Sequence, residues 1–326
     1  PPPPQAVFRK FDENRPLWAA AVQVSAMLDA LGALAKVSSE PGMTRPTILD
    51  ASVTKATVDI QGGVHPCVQT THSGGSFVPN DCALGGETAR VLLLSGPNMG
   101  GKSTLLRQTC LISIMAQIGM FVPAASAQLT PFDRIFTRLG SSDKILAGQS
   151  TFFVELSECA AALRGATSRS FVIMDELGRG TSTFDGTAIA HAVIKHLVEQ
   201  TRCVVMFATH YHSLLEDMEG KEGVRLGHMK CHVEDGTDTD ACRITFLYQL
   251  EAGACPQSFG INVARLAALP EGVLVIAKEK SREFEQDQTD AAAGAGVGAA
   301  ALVSKVKAAL ERGDAEEVKK LWSEMQ

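Results

Sequence analysis

Gly96, Pro97, Asn98, Met99, Gly100, Gly101, Lys102 and Ser103 follow the spacing G-x-x-x-x-G-K-[ST], with Thr104 next. Glycines in such a run let backbone N–H groups wrap phosphate oxygens, and the start of the following helix adds partial positive charge. Lys102 supplies a cation for the outer phosphates and Ser103 a hydroxyl for Mg²⁺, so the expected ligand is ATP with Mg²⁺. A phosphate loop needs an acid at the end of a neighbouring strand. Phe171 to Met174 is an apolar run that ends in Asp175 and Glu176. Asp175 is expected to join Ser103 at the metal, and Glu176 to orient or deprotonate the attacking water. Adjacent carboxylates are costly to bury unpaired, which favours a working role over two acids on an exposed turn. A third apolar run, Val204 to Phe207, leads into Ala208, Thr209 and His210. His210 would contact the γ-phosphate or the lytic water through a ring nitrogen. Strand-end histidines are common, so this reading leans on the other two elements.

The elements that must position these residues alternate. Short apolar runs at Val91–Leu94, Phe171–Met174 and Val204–Phe207 read as strands, the first two followed by helical segments at Lys102–Ile118 and Gly186–Val198, the third by a loop. That alternation predicts an α/β fold with a mainly parallel sheet flanked by helices, and ligands at the carboxyl ends of its strands. Upstream, Leu17, Val24, Met27, Leu28, Leu31 and Leu34 recur at helical spacing, and the Ser/Pro/Gly stretch from Ser38 to Pro46 reads as a linker. Ala56, Val58 and Ile60 alternate with polar residues as on a half-buried strand that Gly62 and Gly63 close. Residues 291–301 are only Ala, Gly and Val, a tether composition, and two short amphipathic helices follow within 302–326.

The chain has 326 residues, 45% hydrophobic and 20% charged, with a net charge of -6. This acidic balance argues against an extended nucleic-acid footprint on this segment, because neutralising phosphates needs clustered Lys and Arg. Apolar runs such as Val91–Leu94 and Phe171–Met174 are far short of the roughly 20 residues a bilayer needs, so no membrane-spanning segment is expected. Eight cysteines lie scattered without a Cys-x-x-Cys pair and read as reduced and intracellular. His228, Cys231, His232 and Cys242 form a loose cluster that lacks zinc-ligand spacing and reads as ordinary surface residues. The chain does not begin with Met and reads as a fragment.

Three stretches resemble the nucleotide-site motifs of the MutS family of DNA mismatch repair ATPases: GPNMGGKST at 96–104, DELGRGTSTFDG at 175–186 and ATHY at 208–211. The resemblance runs from about Arg45 to Glu285 and includes GQSTFFVELSE at 148–158. It implies a P-loop NTPase domain of ABC type over 45–285, preceded by the end of a lever helix over 1–44 and followed by a linker at 286–301 and a helical dimerisation element at 302–326. It further implies that Ser150 reaches across a dimer interface to the partner's nucleotide, that Phe77 stacks on adenine, that Tyr248 is a second base-side contact, and that Asn98 is the family's characteristic loop asparagine. Within the family, FTRLG at 136–140, VRLGHM at 224–229, GACP at 253–256 and REFE at 282–285 resemble the larger, mismatch-reading subunit of the eukaryotic nuclear heterodimer. The Ala/Gly tether matches no family motif.

The resemblance thus implies a nuclear DNA mismatch repair ATPase module that pairs with a second MutS-family subunit, with mismatched duplex DNA gripped by segments outside this chain. The family's mismatch-reading Phe-x-Glu belongs to an N-terminal domain, and Phe153-Val154-Glu155 and Phe11-Asp12-Glu13 fit that spacing by accident. Three alternatives stay open: a protein of the meiotic-crossover branch, a nucleotide-gated dimerisation module with little hydrolysis, and a transport or chromosome-maintenance ATPase. The last typically carries a Ser-Gly-Gly signature where this chain has Gln149-Ser150-Thr151.

Overall fold

The structure is a computed structural model that describes residues 4–52, 54–69, 77–140, 150–234, 243–255 and 258–284. The expected linker at 286–301 and helices at 302–326, with Gly148, Gln149 and Cys242, lie outside the described residues. The chain divides into two compact units, the second beginning at Gly260.

The first unit opens with helices α1 (Pro4–Glu13) and α2 (Arg15–Ser38). Pro16 stands in the first turn of α2, where a missing N–H costs nothing, and the helix closes as Ser39 N–H bonds to Ala35 O. No side chain of α2 is buried. By length and composition alone α2 is apolar enough to cross a membrane, with a mean hydropathy of 1.5. That corrects the expectation that no segment would qualify: counting uninterrupted runs misses alanines, which raise the average between Gln23, Ser25 and Asp29. A core helix of a soluble protein passes the same test.

Next come β1 (Met43–Thr44), β2 (Thr47–Ile48), β3 (Thr57–Gly63), α3 (Pro66–Gln69) and β4 (Asn80–Gly85). β5 (Val91–Ser95) leads into α4 (Lys102–Gln117), followed by β6 (Val122–Pro123), β7 (Ser126–Leu129), β8 (Ile135–Arg138) and α5 (Thr151–Gly165). The unit continues through β9 (Phe171–Asp175), α6 (Thr183–His196) with a π-helical turn at Leu197–Thr201, β10 (Val204–Ala208), α7 (His212–Met218), β11 (Val224–Glu234) and β12 (Arg243–Ala252). The second unit contains α8 (Gly260–Leu266) and a helix over 271–284.

A six-stranded sheet runs in the order β12-β11-β5-β10-β9-β8. Its neighbours are parallel except β11 and β12, which gives the expected α/β architecture. The three central strands are buried on both faces, which is why each is an unbroken apolar run. Their side chains alternate between two cores. Leu92 and Leu94 join Leu105, Leu106 and Ile112 of α4, whereas Val91 and Leu93 join Ala190, Val193 and Ile194 of α6. Each such leucine contributes roughly 1.5–3 kcal/mol by burial.

Four of the expected elements differ in extent. The segment after β10 is a helix, α7, because Leu214, Leu215 and Met218 recur at helical spacing and are buried. Within the expected linker, β1 pairs antiparallel with β6. β3 continues through Gly62 and Gly63 with a register shift and joins a second sheet of order β2-β7-β3-β4. The helical segment expected at Gly186–Val198 begins at Thr183, where Ser182 caps it by accepting from Asp185 N–H.

Candidate functional site

The register of the large sheet brings three strand ends together. Ala208 of β10 lies opposite Leu94 of β5 on one side and Asp175 of β9 on the other. The chain leaving each end therefore enters the same space: the loop from Gly96 to Gly101, Glu176, and Thr209 with His210. A cavity of about 640 Å³ opens there, within the usual size of a small-molecule site.

At one end the cavity meets the glycine loop and the first turn of α4. The α4 N-cap is Gly101, with φ of 100° and no side-chain cap, so the free N–H groups of the first turn have no capping side chain. Gly96 has φ of 124°, and a Cβ there would come within 3.1 Å of the backbone nitrogen of Met229. Lys102 is only 5% exposed. Its Nζ donates to Gly96 O at 2.7 Å, Pro97 O at 3.2 Å and Asn98 Oδ1 at 3.4 Å. Burial lowers its pKa, against the pull of Glu176 and Asp175. The ammonium thus rests on carbonyls, acceptors it can exchange for phosphate oxygens. Gly100 N–H bonds to Pro97 O, Met99 is exposed at the loop tip, and Thr104 lines the same wall.

Ser103 Oγ donates to Asp175 Oδ2 at 2.7 Å, while the buried Oδ1 of Asp175 has no hydrogen-bond partner. Burial raises the pKa of Asp175; the Ser103 hydrogen bond opposes the shift and the charge of Glu176 adds to it. A hydroxyl beside a carboxylate with an unused oxygen is a hard donor set that suits Mg²⁺. Glu176 adopts a left-handed φ of 53°, and its carboxylate takes Arg179 Nη1 at 2.7 Å with Lys102 Nζ at 3.9 Å. Two backbone anchors hold that strained residue. Glu176 N–H donates to Ala208 O, and Gly178 N–H donates to Glu155 Oε1 at 2.5 Å. Glu155 is itself buried beside Arg138, 2.8 Å away.

His210 sits at the third strand end with its ring 4.3 Å from that of Tyr211. Desolvation lowers its pKa, the charge of Glu176 opposes this, and Arg179 and Lys102 add to it. His210 is not among the residues lining the cavity, although the field of Glu176 reaches it.

Beside the glycine loop the cavity lining is mostly apolar. Val68, Phe77, Val78 and Tyr248 form it with the polar Asn80 and Gln108. Phe77 and Tyr248 come from chain segments far apart in sequence and meet at this opening. Ser150 is placed elsewhere: it is exposed, lies outside the lining of this cavity, and caps α5 by accepting from Phe153 N–H at 3.2 Å.

Two further contributors are marked in the sequence by polar residues at apolar positions. Asn80 shares the buried face of β4 with Cys82, so a polar residue in phase with apolar neighbours was the clue. Glu155 stands between Val154 and Leu156, an acid on the inward side of α5. Of the loose His/Cys cluster, His228, Cys231 and His232 lie along β11, and no group of three or more His, Cys, Asp or Glu side chains gathers among the described residues. No disulfide joins any of the seven described cysteines.

Comparison with known proteins adds the family. Residues 92–285 match MutS domain V. The DNA mismatch repair protein Msh6 of Homo sapiens is 51% identical over 290 residues, covering 86% of this chain and 21% of that protein. Its Arabidopsis thaliana counterpart is 47% identical over 286 residues, 86% of this chain and 22% of that protein. The DNA mismatch repair protein MSH3 of Chaetomium globosum is 46% identical over 280 residues, 82% and 24% respectively. The chain therefore spans between a fifth and a quarter of these relatives.

Proposed function

The chain belongs to the MutS family, and from that premise we propose that it is the ATP-binding and ATP-hydrolysing module of a DNA mismatch repair protein, a P-loop NTPase domain of ABC type. One observation carries the reading: Lys102, Ser103 and Glu176 line one cavity together with the apolar Phe77, Val78 and Tyr248, and Asp175 hydrogen-bonds Ser103 at its wall. A nucleoside triphosphate has that polarity. Its charged end suits the glycine loop and α4, and its base suits Phe77 and Tyr248.

In this reading Gly96 to Thr104 bind the triphosphate through backbone N–H groups, and Lys102 trades its carbonyl acceptors for phosphate oxygens. Ser103 and Asp175 hold Mg²⁺, which when bound neutralises charge on the phosphate oxygens. Glu176 orients the attacking water and takes its proton, with the backbone anchors at Ala208 and Glu155 fixing its aim. His210, whose pKa is lowered by desolvation, offers a ring nitrogen to the same water or to the γ-phosphate. Catalysis rests on position and charge rather than a covalent step.

The site is one half of a pair. Ser150 stands on the surface outside its own cavity, which supports a role at the nucleotide of a second MutS-family subunit. In the full arrangement residues 1–44 end a lever region, 45–285 form the ATPase domain, 286–301 link, and 302–326 contribute a dimerisation element. Mismatched DNA is held by segments outside this chain, a role in keeping with the mismatch repair names of the similar proteins, and we place the site of action in the nucleus. A second reading, a nucleotide-gated dimerisation switch with little hydrolysis of its own, is favoured by the same placement of Ser150.

Analytical ultracentrifugation of this chain with a matching smaller MutS-family subunit, with and without ATP, tests the pairing. We expect an ATP-dependent complex that Ser150→Ala weakens. Monomers in every mixture would remove the composite site.

A further inference from the structure

We propose that Asn80 is a positioning residue for the base end of the site, its buried side-chain amide clamping the strained bulge that carries Tyr248. This rests on the nucleotide reading above. It begins with an irregularity in the β11/β12 ladder. Met229 lies opposite Leu250 and Cys231 opposite Phe246, so Leu247, Tyr248 and Gln249 face Lys230 alone. At the apex Tyr248 takes a left-handed φ of 55°, a conformation a bulky residue holds only where its surroundings fix it.

The Asn80 amide supplies that fixing from 168 residues away. Its Nδ2 donates to Tyr248 O at 2.8 Å, and its Oδ1 accepts from Leu250 N–H at 2.7 Å. These two bonds lie just after the apex, bracketing Gln249, and tie the C-terminal limb of the bulge to β4. A third, longer bond from Nδ2 reaches Val78 O at 3.3 Å. Asn80 is 7% exposed, so water does not substitute readily for these contacts.

The consequence is geometric. The backbone of Asn80 lies three residues after Phe77, and its side chain holds the peptide of Tyr248. One residue therefore relates both rings at the opening. The Tyr248 ring also lies against the phosphate loop: a Cβ on Gly101 would stand 3.4 Å from its Cδ1. Releasing the clamp would let that ring move away from the base without touching Lys102, Ser103 or Asp175. A purely structural asparagine would weaken all ligands together or none.

The test is isothermal titration of the protein with ATP and with inorganic tripolyphosphate, which carries charge but no base. The variants are Asn80→Ala, Tyr248→Ala, the double variant and Asn80→Asp, each checked for folding by thermal melting. We expect Asn80→Ala to weaken ATP about tenfold, or about 1.4 kcal/mol, to leave tripolyphosphate unchanged, and to add nothing in the Tyr248→Ala background. Asn80→Asp keeps the acceptor for Leu250 but sets an oxygen against the Tyr248 carbonyl, so it should show the same base-selective loss. It also keeps the proposal falsifiable if the alanine variant fails to fold. Additive effects, equal weakening of both ligands, or native ATP affinity in folded Asn80→Asp would overturn the clamp. If the wild-type protein bound neither ligand, the nucleotide reading itself would fall.

Discussion

The two ends of the cavity are built from different kinds of sequence. At the phosphate end, residues 96–104 are consecutive, and Asp175 and Glu176 follow directly from a strand that is two places from β5 in the sheet. At the base end, Phe77 comes from the segment leading into β4 and Tyr248 from a bulged edge ribbon, joined through the side chain of Asn80. The first end is held by strands buried on both faces and by an ion pair in the core. Two hydrogen bonds hold the second. Changes at the phosphate end should therefore alter both stability and function, and changes at the base end affinity alone.

The largest effect is expected at the tie between the phosphate end and the core. Glu155→Ala leaves the buried Arg138 with only the longer, 3.7 Å ion pair to Glu158 and frees Gly178, so urea unfolding should show a loss of about 3 kcal/mol. Native stability in that variant would show that the end is not anchored there. Lys102→Ala should weaken ATP at least a hundredfold, roughly 2.8 kcal/mol, measured by titration. It removes the only cation lining the described part of the cavity.

Asp175→Asn sharpens the contrast through pH. Burial raises the pKa of Asp175 in the folded chain, so its ionised carboxylate opposes folding once the pH exceeds that raised value. Below the unfolded value of 3.8 both states are protonated and the penalty vanishes. The asparagine variant should thus melt higher than the native chain at pH 7.5, gain nothing near pH 3, and lose Mg²⁺-dependent ATP binding. A lower melting temperature at pH 7.5 would contradict the burial argument. The smallest effect belongs to Phe77→Ala: about 1 kcal/mol of ATP affinity, in line with one lost aromatic contact, with an unchanged melting temperature.

The same contrast explains what could be read from the chain itself. β5, β9 and β10 are doubly buried runs, and their observed bounds lie within one residue of those expected. The loop at 96–103 declares its geometry because its glycines are local necessities. The second sheet was legible only at β3, since β2 and β7 have two and four residues and too little periodicity to stand out. Phe77 and Tyr248 entered through family resemblance, because nothing local to either signals the other. The bulge at Tyr248 depends on a partner 168 residues distant and leaves no mark in its own segment. The burial of Glu155 likewise depends on Arg138, which lies beyond a stretch outside the described residues.

Comparing wild-type protein with Glu176→Ala, in the presence of a second MutS-family subunit, tests the central claim most directly. ATP affinity and the hydrolysis rate would be measured on the same samples. The account predicts affinity within a factor of about two, with hydrolysis reduced at least a hundredfold, as expected when a positioned base is lost. Hydrolysis at the native rate in Glu176→Ala would contradict it.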